Sequence, residues 1–223
     1  MPKRLRHDLG GMVYHVLNRA NARMMLFESH DDYQAFEKIL TQAHEQVPMR
    51  TLAYCLMPNH WHFVLWPRED GHMAEFMHWL TVTHVRRWHA YRGTEGTGHV
   101  YQDRYKSFPI QEDNHFITVC RYVERNPLRA NVAAQADEWP WSSLARRASS
   151  DPEATAWLAE WPVARPRNWH SYVTKPVTDA EREALALSIK RGRPFGSDEW
   201  ARRTAKKLGI ESTLRPRGRP PKR

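Results

Sequence analysis

Cysteine is scarce in this chain: only Cys55 and Cys120 occur among 223 residues. Two thiols build neither a disulfide framework nor a Cys-rich zinc site, and they fit a reducing, cytoplasmic setting. Long apolar runs are missing as well. No stretch approaches the ~20 residues that a membrane helix needs, so no membrane partner is expected. The basic start, Met1-Pro2-Lys3-Arg4, leads into no apolar core, so secretion is not indicated. There is no internal repeat, and no helix-turn-helix or zinc-finger spacing that would support a generic transcription factor. Tryptophan is plentiful by contrast: ten Trp are unusual for a disordered protein, and the length allows one domain with a real core plus an appendage.

Charge is distributed unevenly. Residues 190–223 hold 12 Lys and Arg against three Asp and Glu, so the whole formal surplus of +9 lies there and residues 1–189 are neutral. Such a block attracts polyanions, because each phosphate it neutralises releases counterions. A solvated tail is the plainer alternative.

The pattern along the chain alternates between strand and helix. Residues 12–19 are β-branched and aromatic and predict a strand. Residues 30–47 carry Tyr33, Phe36, Ile39, Leu40 and Ala43 at helical spacing, with Asp31 and Asp32 in the first turn. Strands are expected over 50–56 and 60–66, joined by a tight Pro58-Asn59 turn. A helix over 73–91, an extended segment over 100–111 and a helix from Asp113 to about residue 124 follow. This order is α+β and suits a ferredoxin-like antiparallel sheet with helices packed on one face. Beyond residue 145 the texture is irregular and rich in Pro and Trp, with short helices expected over 178–191 and 198–208.

Within the strand over 60–66, His60 and His62 flank Trp61. Period two puts both imidazoles on one face, with Trp61, Phe63 and Leu65 on the other. If the helices cover the Trp61 face, the histidines stand on the open face, close enough to share a cation. On its own, a His-x-His pair in a strand is more often two partly exposed histidines. In the helix after Asp113, His115, Val119, Tyr122 and Asn126 form one stripe, so Tyr122 and Asn126 can aim at one spot beside the sheet. Taken singly, the Tyr reads as amphipathic packing and the Asn before Pro127 as a helix stop.

Four segments occur together and in order: Cys55-Leu56-Met57-Pro58-Asn59-His60-Trp61-His62-Phe63-Val64-Leu65-Trp66-Pro67, Tyr101-Gln102-Asp103-Arg104-Tyr105-Lys106-Ser107, Tyr122 to Ala130, and Trp139-Pro140-Trp141-Ser142-Ser143. This set resembles the single-tyrosine HUH transposases of small insertion sequences, in particular their REP-associated tyrosine transposase branch. The likeness covers roughly residues 10–145, and Gly192 to Gly196 resembles a C-terminal feature of many members.

The resemblance implies a single-stranded DNA endonuclease and strand transferase acting on hairpin or palindromic repeat DNA. His60, His62 and Asn126 would ligate Mg2+ or Mn2+, and Tyr122 would be the nucleophile. Two imidazoles and an amide leave the ion its full charge for the scissile phosphate. Imidazole suits Mn2+ better, whereas cellular abundance favours Mg2+. An unperturbed phenol loses its proton only near pH ~10, so attack needs help. It would leave Tyr122 joined to a 5′-phosphate and release a 3′-hydroxyl, conserving the bond energy for resealing.

Arg104 and Lys106 alternate with Tyr105 and suit a phosphate track. Arg125 lies on the Tyr-bearing helix. Arg-Gly-Arg-Pro occurs twice, with Arg191 and Arg193 in the first copy and Arg217 and Arg219 in the second. The second copy resembles an AT-hook, whose Arg side chains line a narrow minor groove. The expected organisation is a nuclease domain over 1–145, a Pro/Trp-rich extension of unassigned role over 146–189, and a basic DNA-binding segment over 190–223. Mobile members of the family exchange the tyrosine helix in dimers; this chain is expected to work as a monomer, with a dimer as the alternative, in the cytoplasm near the nucleoid. Two other functions compete: a hairpin-binding protein that has lost catalysis, and a phosphodiesterase that uses water, with Tyr122 structural.

Overall fold

A computed structural model describes residues 8–151 and 155–215. Its elements are β1 (Val13–Arg19), α1 (His30–Gln46), β2 (Met49–Met57), β3 (His60–Pro67), α2 (His72–Arg92), β4 (Lys106–Ile110), α3 (Asn114–Glu124) and a single turn, α4 (Asn126–Arg129). After these come α5 (Ser143–Ala148), α6 (Trp169–Thr174), α7 (Asp179–Arg191) and α8 (Asp198–Lys207). The four strands form one antiparallel sheet in the order β2-β3-β1-β4. In the central pair, His62 lies opposite Leu17 and His60 opposite Arg19.

Local chemistry sets the element ends. Ser29 caps α1 by accepting from the Asp32 N–H, while the Asp32 carboxylate accepts the Ser29 N–H in return. Between β2 and β3 the chain reverses in two residues, and the Pro58 carbonyl accepts from the Leu26 and Phe27 amides. Asp113 caps α3 through the His115 N–H.

The α+β class and the antiparallel sheet are as the pattern predicts, but the helices do not all lie on one face. Trp61, Phe63 and Leu65 pack with Phe36, Leu40 and Phe76 of α1 and α2. On the opposite face, Val64 and Phe108 pack with Phe116, Val119 and Val123 of α3. Every residue of β3 from His60 to Leu65 is therefore buried, as in a sheet covered on both sides. The histidine face is consequently not open; it lies under α3.

The extended segment expected over 100–111 is also shorter. Tyr101 makes one bridge to Ala20, residues 102–104 bend, and the ladder resumes only at Lys106. The Asp103 carboxylate accepts the Arg104 N–H at 2.7 Å, a local bond that competes with strand pairing.

Segments beyond residue 145 return to this core. Trp161 Nε1 donates to the Leu52 carbonyl at 2.7 Å, and Leu158 bridges Thr51. Trp169, Leu185 and Phe195 join the apolar cluster beneath α3. Gly192 ends α7 with φ of +70°, and a Cβ on Gly196 would meet the Trp200 ring at 2.5 Å. Both glycines of that motif are thus required by backbone conformation or close packing.

Candidate active site

Strand β3 delivers His60 and His62 to one face, and α3 lays Tyr122 across them. The His60 and His62 rings are 5.1 Å apart between centroids, and Tyr122 meets His62 edge-on at 5.8 Å. These three residues share a cleft of about 360 Å³ with Arg19, Arg104, Lys106 and Arg129. The cleft is thus rimmed by cations and floored by imidazoles, a setting for a phosphodiester. Ile189 of α7 forms part of its wall, so the extension contributes to the site.

Both imidazoles are held neutral. Burial pushes His60 down to about 4, helped by the charges of Arg19 and Arg129. Burial pushes His62 well below the ordinary range, and the neighbouring His15, His60, Arg129 and Arg19 add to it. His60 Nδ1 lies 2.7 Å from Asn59 Oδ1, which can only accept, so the proton sits on Nδ1 and Nε2 keeps a bare lone pair. That Nε2 is buried with no hydrogen-bond partner. His62 Nδ1 lies 2.9 Å from His15 Nε2; with the proton on His62 Nδ1, its Nε2 is bare as well. Neutral, oriented imidazoles with unfilled nitrogens are the form a divalent ion takes up, so this pair fits the implied metal.

Asn126 is placed differently. It is 1% exposed, its Nδ2 donates to the carbonyls of Tyr122 and Val123, and its Oδ1 accepts from Arg129 Nη2 at 2.7 Å. It is not among the residues lining the cleft. Among the described residues, no group of three or more His, Cys, Asp or Glu could hold a metal. A bound ion would therefore draw part of its shell from water or substrate oxygens, as Mg2+ commonly does.

The structure brings Tyr122, His60, His62, Arg104 and Lys106 together. Arg125 flanks Tyr122 on the far side, in a depression it shares with Arg129 and Arg182, and donates to the Lys175 carbonyl. Arg191 and Arg193 lie elsewhere: Arg191 donates to the Ser212 carbonyl and Arg193 pairs with Asp198 at 3.3 Å. The first Arg-Gly-Arg-Pro copy starts at the last residue of α7 and runs into the loop before α8. Arg217 and Arg219, with the AT-hook-like copy, lie outside the described residues. His115 sits at the start of α3 with Asp113 and Phe195, away from the cleft, while Trp88 and Tyr101 are core residues.

Sequence alone gives no role to Arg19, Asn59, His15 or Arg129, all of which the structure places at the site. His15, pushed down to about 3 by complete burial, orients His62. Arg129 Nη1 donates to Tyr122 Oη at 3.0 Å, with its guanidinium 4.9 Å from the ring centroid. An Arg seven residues after a helical Tyr was a visible signal; the His15 to His62 pairing was not, because it depends on strand register.

A family model described as "Transposase IS200 like" matches residues 9–126. A Haemophilus influenzae protein bearing the name REP-associated tyrosine transposase is 23% identical over 139 residues, which span 59% of this chain and 77% of that protein. The solved structure of a REP-associated tyrosine transposase bound to a REP hairpin superposes with a TM-score of 0.51 at 18% identity, covering 67% of this chain and 86% of that one, and shows the same fold. With the His pair and Tyr122 in one cleft and the family model spanning more than half the sequence, this chain belongs to the IS200-like transposase family.

Proposed function

We propose that the chain is a divalent-metal-dependent endonuclease and strand transferase for single-stranded DNA, working through a 5′-phosphotyrosine at Tyr122. The observation that carries this reading is the shared cleft, in which the Tyr122 phenol faces two neutral imidazoles, one with a buried nitrogen lacking any partner.

The cationic rim positions the substrate: Arg19, Arg104 and Lys106 hold backbone phosphates along the cleft. His60 and His62 would hold Mg2+ or Mn2+, with Asn126 as the third candidate ligand. The ion, when bound, polarises the scissile phosphate and orients it for in-line attack. Asn59 keeps His60 in the required tautomer, and His15 holds the His62 ring in place. Tyr122, fixed by Arg129 on a buried helix, is held as the attacking oxygen. Its bond to phosphorus forms as the bond to the 3′-oxygen breaks; the phenol proton leaves and the 3′-oxygen gains one. The phosphotyrosine stores the ester until a second 3′-hydroxyl reverses the step.

Hairpin DNA is the substrate class we infer, because a solved relative of the same fold is bound to a REP hairpin. The test is an adduct assay with labelled hairpin oligonucleotides, with Mn2+, Mg2+ or EDTA, run on a denaturing gel beside Tyr122→Phe. A metal-dependent shifted band absent from Tyr122→Phe is expected. Cleavage without an adduct, kept in Tyr122→Phe, would move the case to a phosphodiesterase that uses water. Binding without cleavage on a broad hairpin panel would leave a binding protein.

A further inference from the structure

Tyr122 stands on a ridge between two depressions. One is the cleft of His60, His62, Arg19, Arg104 and Lys106; the other is lined by Arg125, Pro176, Val177 and Arg182. Among the described residues, only Tyr122 and Arg129 line both. A phosphate joined to the phenol must therefore sit beside the Arg129 guanidinium, whichever way the strand leaves the ridge.

The bonding of Arg129 is unusual for a cation at such a place. One nitrogen donates to Tyr122 Oη at 3.0 Å and the other to Asn126 Oδ1 at 2.7 Å, both neutral partners. Among the described residues no carboxylate lies within ion-pair distance of it. Asp103 and Asp179 line the two depressions, but Asp103 accepts the Arg104 N–H and Asp179 pairs with Arg182 at 2.7 Å. Two of its five donors are used and its charge is uncompensated. The guanidinium thus presents positive charge and spare N–H groups beside the oxygen that attacks. Arg binds the oxygens of a phosphate in fork geometry, which a Lys ammonium does not reproduce.

We propose that Arg129 is a catalytic residue for strand cleavage and rejoining: it fixes Tyr122 Oη before attack and binds the non-bridging oxygens of the phosphate in the transition state and in the phosphotyrosine. This rests on the reading of Tyr122 as the nucleophile. In the step, the Tyr122 Oη–phosphorus bond forms and the phosphorus–O3′ bond breaks. The phenol proton passes to solvent, and the leaving 3′-oxygen takes a proton from solvent. The diester carries one negative charge before and after, and two as the phenolate adds. Arg129 therefore acts most strongly at the point of highest charge.

The test compares wild type, Arg129→Ala, Arg129→Lys and Tyr122→Phe in single-turnover adduct formation on a labelled hairpin, with hairpin affinity measured separately in EDTA by fluorescence anisotropy. Arg129→Ala is expected to form adduct about 100-fold more slowly, the scale seen for losing one donor to a developing oxyanion. Its affinity in EDTA should fall less than about tenfold, since the other cations of the rim remain. Arg129→Lys should recover part of the rate, and added methylguanidinium should partly rescue Arg129→Ala. Arg129 is exposed, so the variants should fold; circular dichroism checks this, and if Ala fails to fold the Lys and Gln variants carry the comparison. Adduct formation by Arg129→Ala at the wild-type rate would overturn the proposal while leaving Tyr122 as nucleophile. So would a loss of rate matched fully by loss of affinity, with no rescue. If wild type itself forms no adduct, the nucleophile reading fails and the role of Arg129 falls with it.

Discussion

Residues buried for packing and residues buried for chemistry use the same imidazole here, and acid should expose the difference from the unfolded chain. His44 lies between the Met49 carbonyl and Thr51 Oγ1, and burial pushes it down to about 4. His84, fully buried beside the Tyr101 hydroxyl, is pushed down to about 3, first by burial and then by the charge of Arg92. In the unfolded chain both take up a proton near pH ~6.5. The folded pKa values are the lower ones, so the stability they confer is complete above ~6.5 and is lost as pH falls from there towards the folded values. Each group contributes up to about 1.4 kcal/mol per pH unit within that window. The urea midpoint should therefore drop clearly between pH 7 and pH 5, and a flat midpoint would refute the burial of these two as neutral groups. Period two put His60 and His62 on one face, and the four-segment resemblance marked them as ligands. It could not announce His15 or His84, because an isolated His in an apolar strand or helix looks the same whether it meets a ligand, a hydroxyl or nothing.

At the scale of elements, α3 is held from outside as well as from below. Glu124 is fully buried, receives Trp169 Nε1 at 2.6 Å and the Ser143 hydroxyl, and burial raises its pKa. Ser143 in turn accepts the Tyr54 N–H of β2 at 2.9 Å, so one carboxyl ties α3 to β2, α5 and α6. Arg121 adds a bond of 2.6 Å to Glu181 of α7. Glu124→Ala should cost about 2–4 kcal/mol, from the unpaired Trp169 and Ser143 groups and the cavity left behind. Urea unfolding measures this, and a loss under about 0.5 kcal/mol would show that the carboxyl is no tether. The amphipathic stripe and the Asp113 cap made α3 legible in sequence. Its place on the second face was not legible, because that side of β3 carries His60 and His62 beside Val64 and the partners beneath it come from strands far away in sequence. The bend at 102–104 escaped for a different reason: Tyr, Arg and Lys in alternation suit a strand, whereas the Asp103 carboxylate bonds the next residue's N–H instead.

For the whole molecule, the site is assembled within one chain: Tyr122 meets His62 of the same sequence at 5.8 Å, and segments up to α7 brace its helix. Mixing Tyr122→Phe with His62→Ala should therefore give no DNA adduct. An adduct from the mixture would mean that two chains exchange their tyrosine helices. Among the described residues no helix is long and apolar enough to cross a membrane.

The returning chain has one more effect. Along β2, Leu158 bridges Thr51, and Ser142 bridges Cys55; beyond β4, Phe195 bonds the backbones of Pro109 and Gln111. Pro109 also removes a donor from that edge strand. These returning segments therefore occupy stretches of both sheet borders, where an unpaired strand would otherwise offer its amides and carbonyls to another molecule. A basic protein that gathers on polyanionic DNA reaches high local concentration, and there a sheet with capped borders resists growing, strand by strand, into an aggregate.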